Sequence, residues 1–227
     1  MTNRYFGRVL NINLGSKEVS VQKLEPDLYQ KVIGGKGLAA YLLLRHLARG
    51  MRMIALLCAT ADRGGCHVRG STLRSELLGL PKPVDRLSYS GKAQLAAGLQ
   101  SEYALMNSFS ICLFDNFALS FDDYAQAASS LFSRRWSAEE LRGIGRRIWN
   151  LTRLFNCREG FSRRDDTLPA RLFFEPLPEG ASKGEVVVPE KFQGMLDEYY
   201  QVQGWDEEGV PKPDTLARLG VDELLQR

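Results

Sequence analysis

Near the start of the chain, polar and apolar positions change places at every residue. Between Tyr5 and Leu14, Leu10, Ile12 and Leu14 fall on one face and Val9, Asn11 and Asn13 on the other. Gly15-Ser16-Lys17 then leads into Glu18-Val19-Ser20-Val21-Gln22. A period of two broken by a glycine turn predicts a β-hairpin. Asp27–Val32 and the Leu- and Ala-rich stretch Leu38–Leu47 predict two short helices separated by Gly34-Gly35-Lys36-Gly37.

From about Met51 the two-residue period disappears and amphipathic helical patterns follow one another, with the domain seam expected at residues 48–53. A helical span lies within Gly91–Ser108. A second covers Phe121–Phe132, with Ser120 as N-cap and Asp122 and Asp123 in its first turn, where carboxylates meet the positive end of the helix dipole. Ala138–Phe155 is the clearest. Ser137 and Glu140 have capping-box spacing, and Leu141, Ile144, Ile148, Leu151 and Phe155 recur at helical period as its core face. Thr167–Pro189, rich in Pro and Gly, reads as a surface connection. Pro189 suits a first helical position ahead of Phe192, Met195, Leu196 and Tyr199, and a last short helix is expected near Thr215–Leu219. The fold class is therefore α+β, mostly α: an N-terminal β-hairpin piece (1–48) followed by a helical C-terminal domain (49–227).

Composition changes this picture little. Lys and Arg exceed Asp and Glu by 30 to 27 with the signs interspersed, so the charge selects neither nucleic acid nor a membrane surface. The Arg doublets at 134–135, 146–147 and 163–164 each lie near Asp or Glu and read as solvated helix faces. The first residues lack a signal-peptide core and no run is long enough to span a bilayer, which places the protein in the cytoplasm. Cys58, Cys66, Cys112 and Cys157 have no short paired spacing and read as free thiols.

The residues alone offer few chemical centres. The histidines, His46 and His67, lack a second ligand at the helical spacing that holds a metal. Cys66-His67 sits on a Gly-rich loop beside Arg63 and Arg69, whose charge lowers a thiol pKa. Two readings fit it, a reactive pair and a packed loop with an inert cysteine. The glycine cluster at 34–37 lacks the spacings of a phosphate loop or dinucleotide fingerprint and reads as a turn. Trp149, Phe155, Tyr199, Tyr200 and Trp205 read as core.

Two blocks of the chain resemble a known family. Gly7-Arg8-Val9-Leu10-Asn11-Ile12-Asn13-Leu14 and the run from Ile33 to Leu43 are similar to the opening of tungsten-dependent aldehyde:ferredoxin oxidoreductases. The second block runs from Ala59–His67 through Cys112-Leu113-Phe114, Gly145–Leu151, Arg153–Asn156, Asp166–Pro169 and Tyr199-Tyr200 to Gly204-Trp205-Asp206, and resembles the family's last helical domain. The cofactor-binding middle of the family has no counterpart between them. The resemblance implies oxidation of an aldehyde substrate to a carboxylic acid at tungsten (or molybdenum) held by two pterins of the molybdopterin type. Electrons would pass through a [4Fe-4S] cluster to ferredoxin.

By the same resemblance, His67 is the catalytic residue beside the metal, a proton donor or acceptor. Cys112 is the cluster's fourth thiolate, in a segment that also approaches a pterin. Asn107 and Ser110 stand at cofactor-binding positions where the family usually carries Asp and Gly. An amide for a carboxylate weakens a contact to pterin donors, and Ser in place of Gly crowds a close backbone approach. The remaining cluster cysteines, the family's active-site glutamate and a second pterin segment belong to the missing middle. The sequence thus implies a truncated oxidoreductase, inactive alone, that either works with a companion chain supplying that middle or persists as a non-catalytic helical interaction subunit.

Overall fold

The computed structural model describes residues 8–13, 18–23, 52–77, 79–80, 83–179 and 182–222. It divides into two compact units, Met1–Arg49 with Pro178–Lys183, and Gly50–Leu177 with Gly184–Arg227. In the first unit, β1 (Arg8–Asn13) pairs antiparallel with β2 (Glu18–Lys23), Leu10 facing Val21 and Ile12 facing Val19. Val19 and Val21 stand exposed on one face of β2. The turn that would close the two strands into a hairpin, the helices expected in 27–47, the 34–37 glycine cluster and His46 lie outside the described residues.

The second unit is helical among its described residues. Its helices are α1 (Arg52–Ala59), α2 (Leu73–Leu77), α3 (Lys92–Ser108), α4 (Phe121–Leu131), α5 (Ala138–Arg158), α6 (Arg171–Phe174), α7 (Pro189–Gln203) and α8 (Pro213–Arg218), with 3-10 turns at Leu113–Phe117 and Arg163–Asp165. α3 is the centre: α1, α5 and α7 pack on it, and α4 packs on α5. A helix surrounded in this way must bury most of its circumference. α3 does so with small residues, Ala93, Ala96, Ala97 and Ala104, which let its neighbours approach.

α5 begins where its sequence predicts. Ser137 Oγ accepts from the Glu140 amide at 3.2 Å and Glu140 Oε2 accepts from the Ser137 amide at 2.8 Å, closing the capping box. Ser120 caps α4 in the same manner, with Asp123 completing the box. The expected core face of α5 is corrected by the structure. Leu141, Gly145, Trp149 and Arg153 are the buried stripe, Ile144, Ile148 and Leu151 are half-buried beside it, and Phe155 is 54% exposed. The reason is Gly145: a Cβ there would lie 2.3 Å from the Ser101 carbonyl oxygen, so the glycine marks the line of closest approach between α5 and α3.

The other aromatic residues read as core are core, and each buried polar tip is partnered. Trp149 Nε1 donates to Tyr199 Oη at 2.9 Å, and Tyr199 Oη donates to Gln100 Oε1 at 2.6 Å. Gln100 Nε2 reaches Thr60 Oγ1 at 2.9 Å, and Trp205 Nε1 donates to Asn150 Oδ1 at 2.8 Å. The chain of bonds joins α1, α3, α5 and α7 through groups that would be expensive to bury unpaired. Burial pushes the Tyr199 phenol well above the usual tyrosine range.

Candidate functional site

The two sequence-predicted site segments occupy different loops of the helical unit. His67 stands on the connection between α1 and α2. Gly64 and Gly65 have φ of 76° and 36°, the left-handed region where a side chain is strained, so the glycines let this loop turn sharply. Asp62 pairs with Arg69 at 2.9 Å across the loop, and Asn156 Nδ2 on α5 donates to the Asp62 carbonyl at 2.7 Å. The loop is thereby pinned at its base while His67 itself is exposed.

Cys66, next to it, is held differently. Arg63 donates to its sulfur from both Nε (3.2 Å) and Nη2 (3.1 Å). Partial burial pushes the thiol up. The Arg63 hydrogen bonds, a bond from the Val68 amide and the charges of Arg63 and Arg69 outweigh it and hold the thiol below its ordinary value. No hydrogen bond joins Cys66 to the His67 imidazole among the described residues.

Asn107, Ser110 and Cys112 share one short stretch at the C-terminal end of α3, and all three are exposed. Asn107 Nδ2 donates to the Tyr103 carbonyl at 2.7 Å, back along the helix. Its amide is therefore engaged with the end of α3 in a way a carboxylate could not copy. Ser110 has φ 56°, left-handed backbone that favours glycine. Cys112 caps the Leu113–Phe117 turn, and its carbonyl accepts from the Asp115 amide at 3.0 Å. Phe114, which stacks on Phe117 with centroids 6.0 Å apart, is 69% exposed beside it. Among the described residues no hydrogen bond connects this stretch to His67.

A [4Fe-4S] cluster takes four cysteine thiolates. Among the described residues there is no group of three or more His, Cys, Asp or Glu placed to hold a metal, and the segment offers Cys112 alone. The described residues by themselves therefore do not make up the cluster's ligand set, and no chemical step follows through it.

One member of each Arg doublet is engaged by packing, while Arg135, Arg146 and Arg164 are exposed. Arg134 pairs with Glu140 at 2.9 Å over the Trp136 ring, Arg147 Nε donates to the Leu219 carbonyl, and Arg163 pairs with Asp197 at 2.6 Å. A buried network escaped the sequence reading altogether. Arg153 on α5 binds Asp166, whose carboxylate also accepts from the Tyr200 hydroxyl. All three residues lie within segments that carried the family resemblance, and here they lock α5 and α7 to the 3-10 turn at Arg163–Asp165.

The comparisons with known proteins agree with this architecture. The sequence profile described as "Aldehyde ferredoxin oxidoreductase, domains 2 & 3" matches residues 15–221. The tungsten-containing aldehyde ferredoxin oxidoreductase of Pyrococcus abyssi is 38% identical over 179 residues, 78% of this chain and 29% of that protein. Its Pyrococcus furiosus counterpart is 38% identical over 178 residues, with the same coverage. A shorter stretch of 88 residues is 39% identical to the WOR-like subunit of an aliphatic sulfonate oxidoreductase from Pyrococcus furiosus, covering 37% of this chain and 14% of that one. Among solved structures, the active-site complex BamBC of benzoyl coenzyme A reductase with 1,5-dienoyl-CoA superposes with a TM-score of 0.50. That match covers 62% of this chain and 21% of the other at 21% identity, a likeness of fold.

The helical unit is thus that of an oxidoreductase family that includes tungsten-containing enzymes. The chain belongs to the aldehyde ferredoxin oxidoreductase family, and it spans less than a third of the length of the curated relatives it matches. Among the described residues no helix is long and apolar enough to cross a membrane.

Proposed function

We propose that this chain is the helical portion of an aldehyde-oxidising tungsten (or molybdenum) enzyme, working in the cytoplasm and passing electrons towards ferredoxin. In this reading His67 serves as proton donor or acceptor to the substrate and Cys112 supplies one cluster thiolate. The remaining ligands and the pterin sites come from polypeptide outside these 227 residues. The observation that carries the reading is the exposure of both groups on loops tied to the core: Asn156 fixes the base of the His67 loop, and the buried Asn116, in the turn that Cys112 caps, donates to the Tyr103 hydroxyl on α3 at 2.9 Å. An exposed imidazole and thiol on anchored loops are presented to a neighbour and not absorbed into packing. The resemblance of part of the chain to a WOR-like subunit supports a multi-subunit setting.

A second reading, a non-catalytic helical interaction subunit, is favoured by Asn107. Its amide is spent on the Tyr103 carbonyl, which removes a cofactor-facing carboxylate from that position.

Co-purification separates the two. A tagged chain expressed anaerobically with its neighbouring genes is expected to retain one companion polypeptide and oxidise an aldehyde with a viologen acceptor, and His67→Asn is expected to abolish turnover while keeping the companion. Retention of a companion with no turnover in the unaltered complex identifies the interaction subunit. Absence of any companion overturns the shared-site reading.

A further inference from the structure

Away from both loops, the helical unit contains a cavity of about 480 Å³ bounded by α2, α3, the start of α4, α5 and the end of α7. Its size falls within the range of small-molecule sites. The shape follows from spacing. Leu95, Gly98, Leu99 and Glu102 recur at intervals of three and four and share one face of α3. Arg142 and Arg146 are one turn apart on α5. Where Gly98 sits, a Cβ would meet nothing within 4 Å, so the glycine opens the wall onto empty space. Leu95, Leu99 and Val202 make the lining mainly aliphatic.

The charged groups of this cavity are unequal in number. Arg74, Arg142 and Arg146 line it, against the single carboxylate of Glu102. Arg74 approaches Glu102 only to 3.9 Å, and its Nε is buried with no hydrogen-bond partner. Arg142 lies over the Phe121 ring at 4.6 Å and touches Glu139 at 3.8 Å. Arg146 has no ion-pair partner among the described residues. Burial pushes the Glu102 carboxyl up, against the pull of Arg74 and Arg142. An orphaned buried donor beside an excess of guanidinium groups calls for an acceptor.

We propose that this cavity binds a small amphipathic anion, an aliphatic chain ending in a carboxylate, with the head among Arg74, Arg142 and Arg146 and the tail along Leu95, Gly98 and Val202. Guanidinium is suited to the head because it meets a carboxylate with two parallel N–H donors. The site is independent of His67 and Cys112 and stands whether or not the chain takes part in aldehyde oxidation.

Isothermal titration of the full chain with octanoate, octanol and octylammonium tests it. Octanoate is expected to bind saturably and one-to-one, with octanol and octylammonium weaker by about tenfold or more. Gly98→Leu, which fills the cavity, is expected to abolish octanoate binding, with circular dichroism reporting that the helices persist. Arg146→Gln removes an exposed, unpaired side chain and weakens octanoate by about tenfold without touching octanol, which keeps the test valid even if the leucine variant misfolds. Equal binding of octanol and octanoate, unchanged octanoate affinity in either folded variant, or no saturable octanoate binding overturns the proposal.

Discussion

Arg153 and Asp166 meet in a two-pronged ion pair, Nη1 to Oδ1 at 2.9 Å and Nη2 to Oδ2 at 2.8 Å, with both side chains under a tenth exposed. Arg153 Nε also donates to the Gly209 carbonyl at 2.8 Å, and the guanidinium lies 4.8 Å from the Trp205 ring centroid. Nε and Nη1 thus donate hydrogen bonds while Nη2 keeps ion-pair contact with the carboxylate, and a buried charge is tolerated when it is paired in this way. The pair joins residues 13 apart in sequence to a loop 56 residues away.

Removing one member leaves the other buried and unpaired. Arg153→Gln and Asp166→Asn are each expected to destabilise the helical unit by about 3–5 kcal/mol, read from urea unfolding. A loss below about 1 kcal/mol, the worth of an exposed pair, would refute the role assigned to this network.

The two glycines of α5 should respond in opposite directions. Gly145→Ala puts a methyl group against the Ser101 carbonyl and is expected to cost about 1–3 kcal/mol as the helices part. Gly143 has open space around it, so Gly143→Ala is expected to add about 0.5–1 kcal/mol through helix propensity. Thermal melts of the two variants on either side of the parent check both signs at once.

At the end of α3 two side chains, Ser110 and Asn107, have local consequences for stability. Ser110→Gly relieves a left-handed backbone and is expected to raise stability by up to about 1 kcal/mol. Asn107→Asp loses the donor to the Tyr103 carbonyl and sets a negative charge at the negative end of the helix, an expected loss of about 1 kcal/mol. If the aspartate variant is the more stable, the amide is not holding the helix end.

Thiol labelling should follow the electrostatics. Cys66 is held below the ordinary thiol value, while burial pushes Cys58 and Cys157 up. A lowered pKa keeps the thiolate present at lower pH, so the alkylation rate of Cys66 is expected to rise through a midpoint below that of an ordinary thiol and below those of Cys58 and Cys157. Arg63→Gln removes the positive partner and should move that midpoint upward. Mass mapping at a series of pH values gives the midpoint for each cysteine, and an unchanged Cys66 midpoint in the variant would show that Arg63 does not control it.

Local rules carried much of this fold. The Ser120 and Ser137 caps, Pro189 at the start of α7 and the buried Phe192, Met195, Leu196 and Tyr199 were readable because each depends on neighbours within a turn or two. The α5 face was misread at Phe155 because periodicity alone does not reveal that Gly145 seats the helix, a fact that resides in the Ser101 carbonyl 44 positions away. α2 and α6, of 5 and 4 residues, are too short to leave a period. Of the site, the lowered Cys66 thiol was legible from the neighbouring arginines. The Arg153–Asp166–Tyr200 network and the arginine-lined cavity were not, because their members come from separate helices.

Under the proposed function, metal chemistry at this chain would depend on polypeptide beyond these 227 residues. Elemental analysis of the size-exclusion peak for tungsten, molybdenum and iron, from anaerobic expression with and without the genomic neighbours, tests it directly. The account predicts a folded, metal-free peak for the chain alone, and tungsten or molybdenum with about four irons only when a companion co-elutes. Stoichiometric metal and iron on the chain by itself would contradict it.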